Sequence, residues 1–295
     1  MLKTISYELL PEELSYRQRF QMALNAGFTH VEMKTVFSQA RADEVAESAR
    51  STGLKISSVV AFDRTAPAYL AGSPENVERA IAVVRRSIEN ASQWGANAIL
   101  AVAGYVDRSV SPEDAYAISQ RVIREQILPL AEEKQIIIGL ENIRLSFLKT
   151  NAEYLRYIDE FNSPFVRAYV DVGNVVEPQD LVRAAGGRIV SVHLKDLTPP
   201  AEGRSFGTNV ALGDGAIDQH DLRSALDEVG YDGAVVTVFV RLEGAMRTVD
   251  RVSRSRFRRF LPPPVPSILA SIRRRVYSSY IRDLGRRYDK FAQLA

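Results

Sequence analysis

Amphipathic runs that stop on a glycine and give way to a short apolar run recur along the chain, in "MALNAGFTHVEM", "ESARSTGLKISSVV", "ASQWGANAILAV" and "LDEVGYDGAVVTV". The polar-apolar alternation before each glycine has helical period, and the Val- and Ile-rich run after it has the composition of a buried strand. Gly27, Gly53, Gly95 and Gly230 fall where a residue with positive φ ends a helix. The pattern predicts strands over 4–8, 30–34, 56–60, 98–102, 136–141, 166–171, 189–193 and 234–240. Helices are predicted over 15–26, 41–52, 74–94, 112–134, 151–161, 178–185 and 219–229.

Eight strands alternating with helices in about 240 residues predict an α/β chain, either a closed (β/α)8 TIM barrel or a doubly wound open sheet. The open sheet carries a glycine-rich phosphate loop after its first strand, and "TISYELLPEELS" contains no glycine, which favours the barrel. The barrel is expected over residues 1–247. A proline-rich break, "FLPPPVPS" at 260–267, precedes a helical run, so residues 248–295 are expected to form a basic helical extension.

Composition narrows the chemistry. There is no cysteine, which excludes disulfides, thiolate-bound zinc and cysteine nucleophiles, so any metal must be held by oxygen and imidazole. No apolar run is long enough to span a bilayer and no signal-like core follows the amino terminus, so a cytoplasmic location without membrane contact is expected. Residues 248–295 carry eleven Arg and one Lys against three Asp, a net +9, which leaves −7 for the rest of a chain whose total is +2. The arginines interleave with apolar positions such as Phe257, Ile268, Ile272, Tyr277 and Ile281. That mixture suits packing on the barrel or on a partner subunit, so a homo-oligomer is expected and nucleic acid is not.

In a barrel of this kind functional groups lie at the carboxyl ends of strands. Strand five, the buried run "IIIGLEN", ends in Glu141 and Asn142. Strand six, "YVDVGN", ends in Asp171 and Asn174, and strand seven, "SVHLKD", ends in His193, Lys195 and Asp196. Two carboxylates and an imidazole from neighbouring strands suit Mn2+, Mg2+, Co2+ or Zn2+ with positions left open for water or substrate. Taken singly, Asp171 reads as a turn former and His193 as a core histidine. Three ionisable strand ends in succession point to a shared site.

The ordered series "GLEN", "DVGN", "VHLKD" and "VALGDGAIDQHDLRSALDEVGYDG" resembles the sugar phosphate isomerase/epimerase superfamily with the xylose isomerase-like barrel, and within it L-ribulose-5-phosphate 3-epimerases and hexulose-6-phosphate isomerase-like proteins. The resemblance covers about residues 4–240. It implies that Glu141 is both metal ligand and acid/base, that Asp171 and His193 are further ligands, and that Asn174 and Lys195 meet the substrate, a small sugar or sugar phosphate. It also implies proton transfer next to a ketose carbonyl through an enediolate. Relatives carry a second Glu at the end of strand eight. Here the position falls on Val238 or Phe239, and Glu243 either reaches back from the loop as a substitute fourth ligand or is simply solvated. This departure leaves open a metal-assisted lyase or deglycosidase and a catalytically impaired binding barrel. An endonuclease sharing the barrel is richer in histidine than this chain, which has three, and His30 and His220 read as structural. Arg64, after strand three, is a candidate for a substrate phosphate, and Glu32 on strand two either faces the site or pairs with a cation.

Overall fold

Serine and proline start most of the helices. Ser15, Ser38, Ser73 and Ser111 each accept a hydrogen bond from a backbone N–H of the first turn, and Pro74 and Pro112 occupy the opening helical position, where a missing N–H costs nothing. Thr150 and Glu153 form a reciprocal capping box. Helix ends follow the predicted glycines, with φ of 80° at Gly53 and 72° at Gly95, and Gly27 and Gly230 are also left-handed. In the computed structural model of the chain, residues 1–63, 68–104, 106, 110–143, 147–204, 206–238 and 265–294 are described, with side chains from 271 onward in the last segment.

The strands are β1 (Leu2–Ser6), β2 (His30–Lys34), β3 (Lys55–Val60), β4 (Ala98–Ala101), β5 (Ile137–Glu141), β6 (Val166–Asp171), β7 (Ile189–Leu194) and β8 (Ala234–Thr237). They pair in parallel in chain order, and β1 closes the ring on β8. Around them stand α1 (Tyr16–Leu24), α2 (Gln39–Thr52), α3 (Pro74–Trp94), α4 (Pro112–Val122), α5 (Leu128–Lys134), α6 (Asn151–Asp159), α7 (Pro178–Ala185) and α8 (Gln219–Glu228). This is the predicted (β/α)8 barrel. The first strand begins two residues earlier than expected. The single helix expected over 112–134 carries a π-helical turn, Ile123–Ile127, just before Pro129. Proline supplies no N–H and its ring crowds the preceding turn, and the wider turn accommodates it.

Two register shifts decide which side chains face the barrel interior. Between β2 and β3, Val31 pairs with Ile56 but Glu32 pairs with Ser58, so Ser57 is an extra residue. Between β6 and β7, Ala168 pairs with Ile189 but Tyr169 pairs with Ser191, so Val190 is extra and Asp171 stands beside His193. A slip of one residue turns a strand's side chains to the opposite face. Without the Val190 bulge, Asp171 would neighbour Val192 and the imidazole would point outward.

The basic extension contributes α9 (Val265–Ala292). Tyr277, Ile281, Leu284, Tyr288 and Phe291 are buried in the same core as the barrel, and the helix touches α1 and α8. Lys3 of β1 reaches it, donating to the Gly285 carbonyl at 2.8 Å and to Asp289 at 2.6 Å. Arg273, 5% exposed, lies 2.6 Å from Glu13. Pro262, Pro263, Pro264 and Glu243 lie outside the described residues, as does Arg64, whereas Pro266 of the same run falls in the first turn of α9, where a missing N–H costs nothing. No helix among the described residues is long and apolar enough to cross a membrane. Removing the Ile281 side chain to the γ position and beyond, in Ile281→Ala, should lower stability by about 2–5 kcal/mol, read as a lower urea midpoint with the slope unchanged.

Candidate active site

Glu141, Asp171 and His193 come together as expected. They offer ligand atoms that all lie within 4.8 Å of one another, the grouping of this kind found among the described residues. Nδ1 of His193 lies 3.4 Å from Glu141 Oε1 and 3.7 Å from Asp171 Oδ2. It is buried and makes no hydrogen bond.

The other ring nitrogen is fully engaged. Nε2 of His193 lies 3.0 and 3.1 Å from the two carboxylate oxygens of Glu32, which reaches it from the opposite side of the barrel. Glu32 is 2% exposed, and its Oε2 also accepts from the hydroxyls of Tyr169 and Ser58. In the neutral imidazole this arrangement selects the tautomer with hydrogen on Nε2, which leaves the Nδ1 lone pair directed at Glu141 and Asp171. A buried nitrogen without a partner, facing two carboxylates, fits a cation better than it fits packing.

Tyr169 can cross the barrel because position 139 has no side chain. A Cβ on Gly139 would lie 2.6 Å from Tyr169 Cδ2 and 3.0 Å from the Ile99 carbonyl. Asn142 holds the tip of β6 by two bonds to one residue: its Nδ2 donates to the Asp171 carbonyl at 3.0 Å and its Oδ1 accepts from the Asp171 N–H at 2.6 Å. The remaining oxygens of Asp171 are also held. Oδ1 accepts from the Gly173 N–H at 2.9 Å, and Oδ2 accepts from Lys195 Nζ at 2.7 Å. Lys195 lies against Gly173, where an added Cβ would sit 2.1 Å from its Cε, and its Nζ is 3.4 Å from Asn174 Oδ1.

Asp196, next in the same motif, takes no part in the triad. Its carboxylate accepts from the N–H groups of Leu197, Gly213, Gly215 and Ile217 and from the Gln219 amide, which folds the "VALGDGAID" loop around it. His30 stands at the start of β2, at the far end of the barrel, where it lines a cavity of about 550 Å³ with Leu2, Lys55 and Trp94.

Charge states follow from these contacts. Burial raises the Glu141 carboxyl, and the nearby Asp171 raises it further against the pull of His193. Burial also works against Asp171, but His193 and Lys195 outweigh it and bring the carboxyl down to about 2. For His193 burial opposes the charge, and Glu32, Asp171 and Glu141 together overcome it and hold the imidazolium well above its usual value.

Metal-free protein should therefore be stabilised by protonated His193 at pH below about 6.5, and this contribution should fade as pH rises through the elevated folded value. The Asp171 contribution has the opposite sign: it is present above pH 3.8 and is lost as pH falls toward about 2. Urea unfolding at a series of pH values checks both, and Glu32→Gln should flatten the alkaline limb. Gly139→Ala should cost about 1–3 kcal/mol by pushing Tyr169 off Glu32, measured in the same assay.

Comparison with known proteins agrees with this architecture. L-ribulose-5-phosphate 3-epimerase UlaE of Escherichia coli O1:K1 is 25% identical over 241 residues, which cover 76% of this chain and 82% of UlaE. A solved structure of the IolI protein with a bound zinc atom superposes with a TM-score of 0.68 at 18% identity, covering 82% of this chain and 90% of IolI. A xylose isomerase domain protein from Alicyclobacillus acidocaldarius gives a TM-score of 0.72 at 17% identity over 100% of this chain and 99% of its own. Residues 20–254 match the model of one family, from α1 to beyond β8, and the chain belongs to that family, the xylose isomerase-like TIM barrels.

Proposed function

We propose that the chain is a divalent-metal-dependent sugar or sugar-phosphate isomerase/epimerase-like enzyme. The observation that carries this reading is the unpartnered Nδ1 of His193 facing Glu141 and Asp171, with Nε2 fixed by Glu32. Glu141, Asp171 and His193 would hold Mn2+, Mg2+, Co2+ or Zn2+, and the likeness to an epimerase of L-ribulose 5-phosphate supports a small ketose or its phosphate as substrate. Bound there, the ion supplies positive charge that polarises the ketose oxygens.

The protein's own groups account for the remainder. Glu141 sits at the tip of β5 with its carboxyl raised by burial, a setting suited to taking and returning a carbon-bound proton near neutral pH. Lys195 and Asn174 border Asp171 and provide donors for substrate hydroxyls. Asn142 and Gly173 keep Asp171 in place while substrate enters. Arg64, outside the described residues, remains the proposed phosphate contact, and Glu243, also outside them, is either a fourth ligand or solvated. The reading also takes the chain as cytoplasmic and homo-oligomeric, with α9 packed on the barrel. A second reading, a binding barrel or a lyase-type site, is favoured by Val238, an apolar residue 3% exposed at the tip of β8.

In D2O with Mn2+, wild-type protein should exchange solvent deuterium into L-ribulose 5-phosphate, and Glu141→Gln should do so about 10²–10⁴-fold more slowly. Equal exchange by the two proteins would remove Glu141 from the reaction, and exchange by neither above the protein-free rate would leave the binding reading. Because an ion must displace the His193 proton, calorimetry in buffers of different ionisation enthalpy should register release of about one proton per Mn2+ at neutral pH, and Asp171→Asn should abolish the binding.

A further inference from the structure

At the mouth of the barrel β5, β6 and β7 bring the triad and Lys195, Glu32 crosses from β2, and Lys34 at the end of β2 pairs with Glu8, while the side chains that β8 turns toward the imidazole are hydrocarbon. Register puts Val236 directly alongside His193, and Val238 N–H continues the ladder to the Leu194 carbonyl at 3.1 Å. Ala234, Val236 and Val238 alternate onto one face and form a buried apolar cluster of their own, apart from the main core. Ala234 pairs with Ser191 and Val236 with His193, and partners in a parallel ladder turn to the same side, so this face is the one that carries the imidazole, the inside of the barrel.

Among the described residues, no side chain of β8 offers a polar group on this face. Both oxygens of Glu32 are committed to His193, and Lys195 donates to Asp171. Resting on the metal-dependent reading above, we infer that the β8 wall supplies neither a ligand nor a proton carrier, so that three side chains hold the ion and carbon-bound hydrogen leaves and returns on one face of the substrate. The reaction that fits is transposition of a carbonyl between adjacent carbons, ketose to aldose, in preference to inversion of a hydroxyl-bearing carbon.

The bonds balance without a co-reactant. The C–H bond next to the carbonyl breaks and its proton passes to the Glu141 carboxylate. The electron pair forms the carbon-carbon double bond of the enediolate as the carbonyl oxygen takes the charge. The same carboxyl then returns the proton to the adjacent carbon from the same side, and the hydroxyl proton moves to the former carbonyl oxygen. Inversion would need a second proton carrier on the opposite face of the enediolate, and Val236 and Val238 make none available from β8.

Two measurements on the full chain test this. In the first, Mn2+ is titrated without substrate and followed by electron paramagnetic resonance. Val238→Glu should tighten binding about tenfold by adding a fourth, charged ligand, Val238→Gln should give a smaller gain, and Glu243→Gln should match wild type. In the second, wild type with Mn2+ and L-ribulose 5-phosphate should form the aldose phosphate and deuterated ketose of unchanged configuration, with inverted ketose appearing only in Val238→Glu. Weaker Mn2+ binding by Glu243→Gln, or inverted ketose from wild type, overturns the inference while the metal-dependent reading stands. Failure of wild type to bind Mn2+ at all sinks that reading itself. If Val238→Glu does not fold, the glutamine variant, Glu243→Gln and the wild-type product analysis still decide.

Discussion

One buried ion pair governs the centre of this molecule. Glu32 and His193 meet across the barrel from strands on opposite sides, and each is nearly inaccessible to water. Removing such groups from solvent costs several kcal/mol apiece, and the pair is tolerable only because Tyr169 and Ser58 satisfy the carboxylate's spare lone pairs. The consequence is directional. With one nitrogen bound, the ring cannot rotate, and its second nitrogen points at Glu141 and Asp171 whether or not an ion is present. A site prepared in this way needs little rearrangement when its ligand arrives.

The strand-end residues were legible from sequence because barrel geometry is regular: alternation plus a polar interruption at the end of an apolar run is enough to identify Glu141, Asp171 and His193. Lys195 and Asn174 follow from the same reasoning, and both stand beside Asp171. The partnership between Glu32 and His193 was not legible beyond a choice between facing the site and pairing with a cation, since 161 residues separate them and only ring closure brings β2 opposite β7. The bulges at Ser57 and Val190 were equally hidden. Neither segment carries a glycine or another local sign of an extra residue, yet His193 faces inward because of one of them. Gly139 is a signal that could have been read: a glycine inside a run of isoleucines marks a place where something large comes close.

Other features separate into what local pattern sets and what tertiary contacts add. The four helix-ending glycines behave as local chemistry dictates. Pro129 in a long helical period was a visible irregularity, and the π turn is its structural outcome. Asp196, grouped by sequence with the site residues, instead organises a loop, because five donors from 197 to 219 converge on it. A carboxylate at a strand end can thus serve chemistry or architecture, and only its partners distinguish the two.

Lys3 has a consequence for how the chain acquires its shape. It belongs to the first strand, yet the carbonyl it binds lies 282 residues away, on the last helix, and the edge of β1 is sealed by the eighth strand. During synthesis β1 must therefore wait, with one hydrogen-bonding edge bare, until β8 has been made. Such long-range pairing slows assembly and leaves a template for unwanted association exposed until the seam closes.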